Sequence, residues 1–251
     1  MSLERIEDSA DTPWWGEHVQ RYDEALKYVQ KDSRVLDLAC GNGFGTMKLA
    51  DAGAQLVIGG DVSEEALAYC RQKYQHQTKK DQFEFRKLDA TQLEFEDAFF
   101  DLVVSFETIE HVRDYQQVIN EFRRVLKPCG KLVLSTPNKK VSSPDGIVVN
   151  PYHVKEFDLS ELSTLLAEHF GQCVIGGQRF VRYDSPHNPI APALEKLLYL
   201  RGVRKLSLPI RNSLMRVAGV RQLYPEPGDF EIAYDQKRIE KCLTFFAVCM
   251  K

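Results

Sequence analysis

The chain has 251 residues, of which 43% are hydrophobic and 27% charged, as is ordinary for a soluble globular protein. Its formal net charge of −3 gives no general attraction to nucleic acid, which argues against an RNA-modifying enzyme. The six cysteines form no C-x-x-C pair, so neither a zinc site nor a disulfide framework is expected and reduced thiols are predicted.

The first residues are polar and lack a signal-peptide pattern. Since no apolar run is long enough to span a bilayer either, a cytoplasmic protein is expected. Trp14, Trp15 and Gly16 introduce a helix over 17–29, within a cap segment of residues 14–30. Its apolar residues have the spacing of one buried helix face: Val19, Tyr22, Leu26 and Val29.

The stretch from Arg34 to Thr46, RVLDLACGNGFGT, predicts a buried parallel strand, a tight glycine turn and the start of a helix. Such a unit forms a nucleotide-sized pocket, and Gly41, Gly43 and Gly45 allow the backbone to approach a ligand closely. A dinucleotide fingerprint, G-x-G-x-x-G, would need its third glycine where the threonine stands. The spacing therefore argues against a nicotinamide oxidoreductase.

Two further predicted strands each end at an aspartate. The strand over 55–60 ends at Asp61, about 20 residues after the first glycine, where a carboxylate can accept both hydroxyls of a ribose. Ser63 is a candidate N-cap for the helix that follows. The strand over 83–88 ends at Asp89.

A buried fourth strand is predicted over 100–106 and is followed by ETIEHV, residues 107–112. Polar side chains at the carboxyl end of such a strand can reach a ligand crevice. An amphipathic helix over 114–126 and a fifth strand over 131–136 come next. The loop over 137–152 is long, and long loops at this edge of a sheet are commonly functional.

The rest of the chain contains NPYHVKEF at residues 150–157, then a predicted helix over 160–170. Strands over 171–183 and 243–250 complete the predicted sheet. The residues between them, about 184–240, are more than the core needs, and we interpret them as an insertion that shapes the substrate pocket.

Within the insertion, residues 193–200 are predicted to be helical, and residues 201–221 form a basic amphipathic segment without an acidic residue. The segment has six cations: Arg201, Arg204, Lys205, Arg211, Arg216 and Arg221. One interpretation is a solvated helix face or a homodimer contact. The other is attraction to a phosphate-bearing substrate or peripheral contact with an anionic membrane surface.

The alternation of strands and helices predicts an α/β fold with a doubly wound, mostly parallel sheet and helices on both faces. Several stretches resemble the class I S-adenosylmethionine (SAM) methyltransferases: EHVQRY at 17–22, DLACGNGFG at 37–45 and FDLVVSFETIEHV at 100–112. NPYHVKEF resembles a bacterial subgroup of type 11 methyltransferases associated with sugar or surface-glycan modification. The resemblance implies a Rossmann-like, seven-stranded sheet in a single domain over 1–251, with the last strand inserted antiparallel between the fifth and sixth.

The resemblance also implies a role for each matching residue. Arg21 would pair with the carboxylate of SAM, whose geometry a guanidinium matches, while Asp61 would bind the ribose and Asp89 the adenine amino group. The other implied cofactor residues are Tyr22, Asp37, Ala39, Gly41, Gly43, Gly45, Val62, Ala90 and Phe106. Alternatives stay open for three of them: a surface ion pair for Arg21, packing for Tyr22 and an Asx-turn for Asp89.

SAM supplies an activated methyl group, so the protein must orient an acceptor, and a hydroxyl acceptor also needs a base. The candidate bases are His153, His111 and Glu107, although His111 is equally a structural residue and Glu107 equally a positioning residue. No metal and no nucleic acid is expected. The predicted function is methyl transfer from SAM to an oxygen or nitrogen of a small molecule, such as a sugar or nucleotide-linked glycan, with S-adenosylhomocysteine (SAH) as product.

Two alternatives to this function remain at the level of sequence. The first is a non-catalytic domain that binds SAM or a partner, against which the presence of both Asp61 and Asp89 argues. The second is a methyltransferase for a natural product or a lipid-linked acceptor.

Overall fold

The structure is a computed structural model and describes residues 15–77, 80–148, 150–181, 213 and 226–251. The α-helices are α1 Trp15–Ala25, α2 Phe44–Asp51, α3 Glu64–Lys73, α4 Tyr115–Val125, α5 Lys139–Ser142, α6 Leu159–Ala167 and α7 Gln236–Ile239. The strands are β1 Arg34–Leu38, β2 Leu56–Asp61, β3 Phe83–Lys87, β4 Phe100–Phe106, β5 Leu126–Pro137, β6 Gln172–Phe180, β7 Phe230–Ala233 and β8 Thr244–Met250. Short 3₁₀ helices cover Leu26–Tyr28, Lys80–Gln82, Ile109–His111 and Pro227–Asp229.

The strands form one sheet in the order β3-β2-β1-β4-β5-β8-β6-β7. β1 lies parallel between β2 and β4, with Leu36 opposite both Ile58 and Val103. β8 runs antiparallel to both of its neighbours, β5 and β6. The predicted mostly parallel sheet with an inserted antiparallel last strand is therefore confirmed. The strand number differs, because β7 lies inside the predicted insertion and adds an eighth strand at the edge.

The sheet is covered on both faces. Neighbouring residues of a strand point to opposite sides, so they belong to different apolar clusters. Leu36 and Val103 belong to a buried apolar cluster that includes Phe122 of α4. Val35 and Leu102, one position earlier, belong to a second cluster that includes Leu49 of α2. Strands buried on both faces read as continuous apolar runs, which is why the sequence shows them clearly.

The boundaries of two elements differ from the prediction. β5 begins at Leu126, whereas the sequence predicts this strand only from residue 131, and Cys129 lies in the added part at φ +65°. α6 begins at Leu159 because Asp158 and Glu161 form a capping box, each side chain bonding the other's backbone amide. The predicted helix over 193–200 and the basic segment, apart from residue 213, lie outside the described residues.

Contacts divide the chain into two compact units, one of residues 1–5, 21–179 and 232–251 and the other of residues 6–20 and 180–231. The first contains the strands that line the candidate site. That the whole chain is a single domain stays a prediction. Among the residues that the structure describes, no helix combines the length and apolar character needed to cross a membrane.

The expectation that all cysteines are reduced thiols is wrong for one pair. The structure joins Cys173 of β6 and Cys249 of β8 in a disulfide. The antiparallel register places these residues directly opposite each other, although 76 residues separate them in sequence. Because strand register is a tertiary property, the spacing of the cysteines carries no sign of this pair.

Candidate functional site

The candidate site lies where the strand order reverses. From β1, one succession of strands runs outward through β2 and β3, while β4 and β5 lie on the other side. In open α/β sheets, ligands bind outside the carboxyl ends of the strands at such a switch point. The carboxyl ends of β1 and β4 are followed by the glycine loop and by residues 107–112, so both segments reach this crevice.

The glycine loop has a backbone that most side chains would not allow. Ala39, Gly41 and Gly43 all have positive φ, of 61°, 54° and 77°. An L-residue rarely adopts this region, and a Cβ at Gly43 would also lie 2.8 Å from the ring of Phe85. The loop therefore needs its glycine at position 43 for its conformation and for its close packing on β3.

Asp61 fixes the glycine loop to the end of β2. Its Oδ2 accepts a hydrogen bond from the amide of Gly41 at 3.0 Å, and its Oδ1 accepts one from the amide of Ser63 at 2.8 Å. Ser63 in turn caps α3, as predicted, by accepting from the amide of Ala66. A carboxylate offers about four acceptor positions, so Asp61 keeps capacity for a ligand.

Asp37 is fully buried beneath the loop and is held by two hydroxyl groups. Tyr22 donates to its Oδ1 at 2.9 Å and Thr46 donates to its Oδ2 at 2.6 Å. Burial raises the pKa of Asp37 to about 6, against the lowering effect of the two hydrogen bonds, and the charge of Asp61 adds to the rise. The predicted cofactor residue Asp37 thus contacts α1 and α2 and stabilises the loop from below.

This raised pKa predicts a pH-dependent stability. Because the folded-state pKa exceeds the value of 3.8 for the free side chain, the contribution of Asp37 is full below pH 3.8 and is lost as pH rises through about 6. Between pH 5 and pH 7 the loss amounts to roughly 1 kcal/mol. In Asp37→Asn this pH-dependent part of the stability should disappear. The free energy of unfolding from denaturant melts at pH 5, 6 and 7 should therefore change less with pH than in the parent. The exposed Asp81→Asn serves as control and should follow the parent; a mutant profile as steep as the parent would contradict the assignment.

Tyr22 and Phe106 are both packing residues in the structure. The Tyr22 ring makes edge-on contacts with Phe44 and Phe106, at centroid distances of 5.0 and 4.9 Å. A Cβ at Gly45 would lie 1.9 Å from the Tyr22 ring, so this glycine is needed to admit the tyrosine. Packing contacts thus describe Tyr22 in the structure, and cofactor contacts of Tyr22, Gly45 and Phe106 stay a prediction.

Arg21 is fully buried and lies beside Glu107. Its Nη1 donates to Oε1 of Gln178 at 2.9 Å and lies 3.7 Å from Oε1 of Glu107. Glu107 has an unusual φ of +49° and accepts a hydrogen bond from the hydroxyl of Ser135 at 2.7 Å. A surface ion pair is therefore wrong for Arg21. Its pairing with the SAM carboxylate stays a prediction, now with Gln178 as a neighbour that the sequence did not indicate.

The third predicted aspartate makes an Asx-turn. Oδ1 of Asp89 accepts from both the amide and the hydroxyl of Thr91, at 2.8 and 2.7 Å. These hydrogen bonds keep the pKa of its carboxyl below the usual value. Asp89 and Val62 are exposed, and Ala90 is partly buried. Their contact with adenine stays a prediction.

The two candidate histidines meet at the edge formed by β4 and β5. The rings of His111 and His153 lie 4.8 Å apart, centroid to centroid. Nδ1 of His111 is 3.1 Å from the carbonyl oxygen of Tyr152, and Nδ1 of His153 is 2.7 Å from Oε1 of Glu156. Glu107, the third candidate, contacts Arg21 and Ser135 instead.

Glu110 is a site residue that sequence reasoning missed. It is completely buried, and Thr136 donates to its Oε2 at 2.9 Å. Burial, and then the charge of Glu107, raise the pKa of this carboxyl well above its usual range. Ligand atoms of Glu110, His111 and His153 all lie within 4.8 Å of one another. The available signal was E-x-x-E-H, but only the fold shows that its second glutamate is buried.

Comparisons with known proteins show what the chain is similar to. Residues 36–134 match a family model described as a methyltransferase domain. A Mycolicibacterium smegmatis protein described as a probable SAM-dependent methyltransferase is 35% identical over 154 residues, which cover 61% of this chain and 57% of the relative. The 27-O-demethylrifamycin SV methyltransferase of Amycolatopsis mediterranei is 33% identical over 128 residues, 51% of this chain and 47% of the relative. The chain thus spans about half the length of these curated relatives.

Solved structures share the fold at low sequence identity. The [4+2]-cyclase SpnF superposes with a TM-score of 0.60 at 17% identity, over 98% of this chain and 85% of the cyclase. A likeness at this level establishes the architecture alone, because one fold supports different reactions.

Proposed function

Because the chain contains a methyltransferase domain of the class I SAM-dependent family, we propose that it transfers the methyl group of SAM to an oxygen or nitrogen atom of a small molecule. The observation that carries the proposal is the carboxylate of Asp61, held under the glycine loop at the switch point of the sheet. A ribose that binds there would receive two hydrogen-bond acceptors from one side chain.

The residues of the loop fit such a ligand. A Cβ at Gly41 would meet no atom within 4 Å, so open space lies above the amide that Asp61 fixes. Arg21 supplies a buried positive charge that suits a carboxylate, and Glu107 lies close to it. The chain therefore offers groups for both the ribose and the amino-acid end of SAM.

When bound, SAM supplies a methyl group on a positively charged sulfur, which is already activated for in-line displacement. The protein has to orient this group toward the acceptor and exclude competing water. The fixed glycine loop and Asp61 would orient the nucleoside end, and Arg21 with Glu107 would orient the methionine end. Residues 107–112 and His153, at the same edge of the sheet, would then face the acceptor.

A hydroxyl-bearing small molecule is our proposal for the acceptor. One reason is the similarity to a relative whose name gives 27-O-demethylrifamycin SV as the compound that it methylates. A second is the resemblance of NPYHVKEF to methyltransferases associated with sugars and glycans. Sugars and nucleotide-linked glycans are thus the first acceptors to test, followed by phenols, natural products and amines.

Ligand binding gives the direct test of the cofactor. A ligand that binds only the folded protein stabilises it by about 2.7 kcal/mol at a hundred times its Kd. For a chain of this size, SAM or SAH should then raise the Tm by about 5 to 10 °C in a thermal melt. Adenosine monophosphate and NAD at equal concentration are the controls and should shift it little. No shift with millimolar SAM or SAH would remove the cofactor assignment.

Methyl transfer itself needs a second measurement. The chain would be incubated with methyl-labelled SAM and each acceptor class, and label would be counted in the separated acceptor. Labelled acceptor together with stoichiometric SAH establishes the reaction. Tight SAM binding with no labelled product from any class would favour a non-catalytic binding domain or another reaction on the same fold.

A further inference from the structure

Two histidines and a buried glutamate converge at the carboxyl edge of the sheet. We propose that Glu110, His111 and His153 bind a divalent transition-metal cation. One ligand atom of each residue lies within 4.8 Å of the others. The site itself is independent of the proposed function, whereas its purpose, described below, rests on it.

Glu110 gives the strongest reason to expect a ligand. The side chain is completely buried, and its Oε1 has no hydrogen-bond partner among the described residues. The other oxygen accepts from the hydroxyl of Thr136, which fixes the orientation of the carboxylate. A buried carboxylate oxygen without a partner costs free energy, and a cation bound to it would remove that cost.

Each histidine is held in the tautomer that a metal ligand needs. Nδ1 of His111 faces the carbonyl oxygen of Tyr152, and Nδ1 of His153 faces a carboxylate oxygen of Glu156. Both partners only accept, so Nδ1 carries the proton and the lone pair of a neutral ring lies on Nε2. Metal-binding histidines regularly donate their other ring N–H to a carbonyl or carboxylate, as both do here.

The hydrogen bonds extend one layer further. Glu156 accepts from the hydroxyl of Ser142 at 2.6 Å while it holds His153. Nε2 of His111 lies 3.7 Å from Oε1 of Glu110. Nε2 of His153 lies 3.0 Å from Nδ2 of Asn150, a contact that it would exchange for the metal. The three ligand atoms are thus directed by partners that do not bind the cation themselves.

A contraction of the side chains completes the coordination geometry. In a tetrahedral site with ligand distances of about 2.1 Å, the ligand atoms lie about 3.4 Å apart, so the widest pair must close by up to about 1.4 Å. Two imidazole nitrogens and one carboxylate favour cations such as Mn²⁺, Fe²⁺, Co²⁺, Ni²⁺ and Zn²⁺ over Mg²⁺ or Ca²⁺. Three protein ligands also leave positions open. Under the proposed function, one of them would hold an oxygen atom of the acceptor and orient it.

Cobalt is the probe for this site. The tag-free full chain, stripped with a chelator, would be titrated with Co²⁺ and followed by visible absorption and by calorimetry. We expect one cation per chain, displaced by Zn²⁺. Glu110→Gln and His153→Gln should each weaken binding more than about 100-fold, and Glu156→Gln by about 10- to 100-fold because it only orients a ligand. The exposed His76→Gln is the matched control and should bind like the parent.

The outcomes separate this inference from the proposed function. Three results would each overturn the metal site. In the first, the parent binds neither Co²⁺ nor Zn²⁺. In the second, Glu110→Gln and His153→Gln bind Co²⁺ as tightly as the parent; in the third, His76→Gln loses as much Co²⁺ affinity as they do. Circular dichroism shows which variants fold, and the variants should still bind SAH. A parent chain that binds Co²⁺ but neither SAM nor SAH would keep the site and remove the proposed function.

Discussion

Replacing Asp61 with alanine is expected to weaken SAM and SAH binding by about 2 to 3 kcal/mol, roughly 30- to 150-fold. The carboxylate accepts from the amides of Gly41 and Ser63, so its loss frees the glycine loop from the end of β2. In the proposed complex it also accepts from the ribose, and hydrogen bonds to a charged group are the strong ones. Both effects act in the same direction.

Calorimetric titration with SAH measures this loss for Asp61→Ala. Asp81→Asn is the control, because that aspartate is exposed and lies just before β3, at the amino edge of the sheet. A denaturant melt of each variant shows how much of the effect comes from stability. An SAH affinity within threefold of the parent, in a variant that is fully folded, would exclude the ribose contact.

Gly45→Ala should destabilise the fold by about 3 kcal/mol, the upper part of the range for inserting a methyl group into a packed core. The new Cβ would lie 1.9 Å from the ring of Tyr22, which other aromatic rings enclose on two sides. The tyrosine also donates to the buried carboxylate of Asp37, so displacing the ring breaks this hydrogen bond. The free energy of unfolding from a denaturant melt checks the prediction.

A second glycine and a second mutation make this test specific. Gly171→Ala should change stability by less than about 0.5 kcal/mol, because its Cβ would meet only one atom, at 4.0 Å. In the background Tyr22→Leu, which removes the ring, Gly45→Ala should cost much less, giving a coupling energy of more than 1 kcal/mol. Additive effects of the two mutations would show that the alanine acts through something other than Tyr22.

The sequence predicts the sheet well and its outer parts poorly. Apolar runs such as 100–106 mark buried strands directly, and the structure has β4 at these residues. The eighth strand, Phe230–Ala233, is short and has two partly exposed residues and one exposed residue, so it lacks that pattern. The position of β8 between β5 and β6 came from family resemblance, since no local pattern encodes strand order.

The sequence by itself determined the glycine loop, the aspartate after β2 and the family they indicate, because backbone conformation and strand ends are local properties. Only the tertiary structure decided which side chains meet. It places Arg21 against Gln178, 157 residues away, and joins His111, His153 and the buried Glu110. Burial and contact depend on packing between distant segments, so the sequence names candidate groups for the acceptor but only the folded chain shows which of them come together.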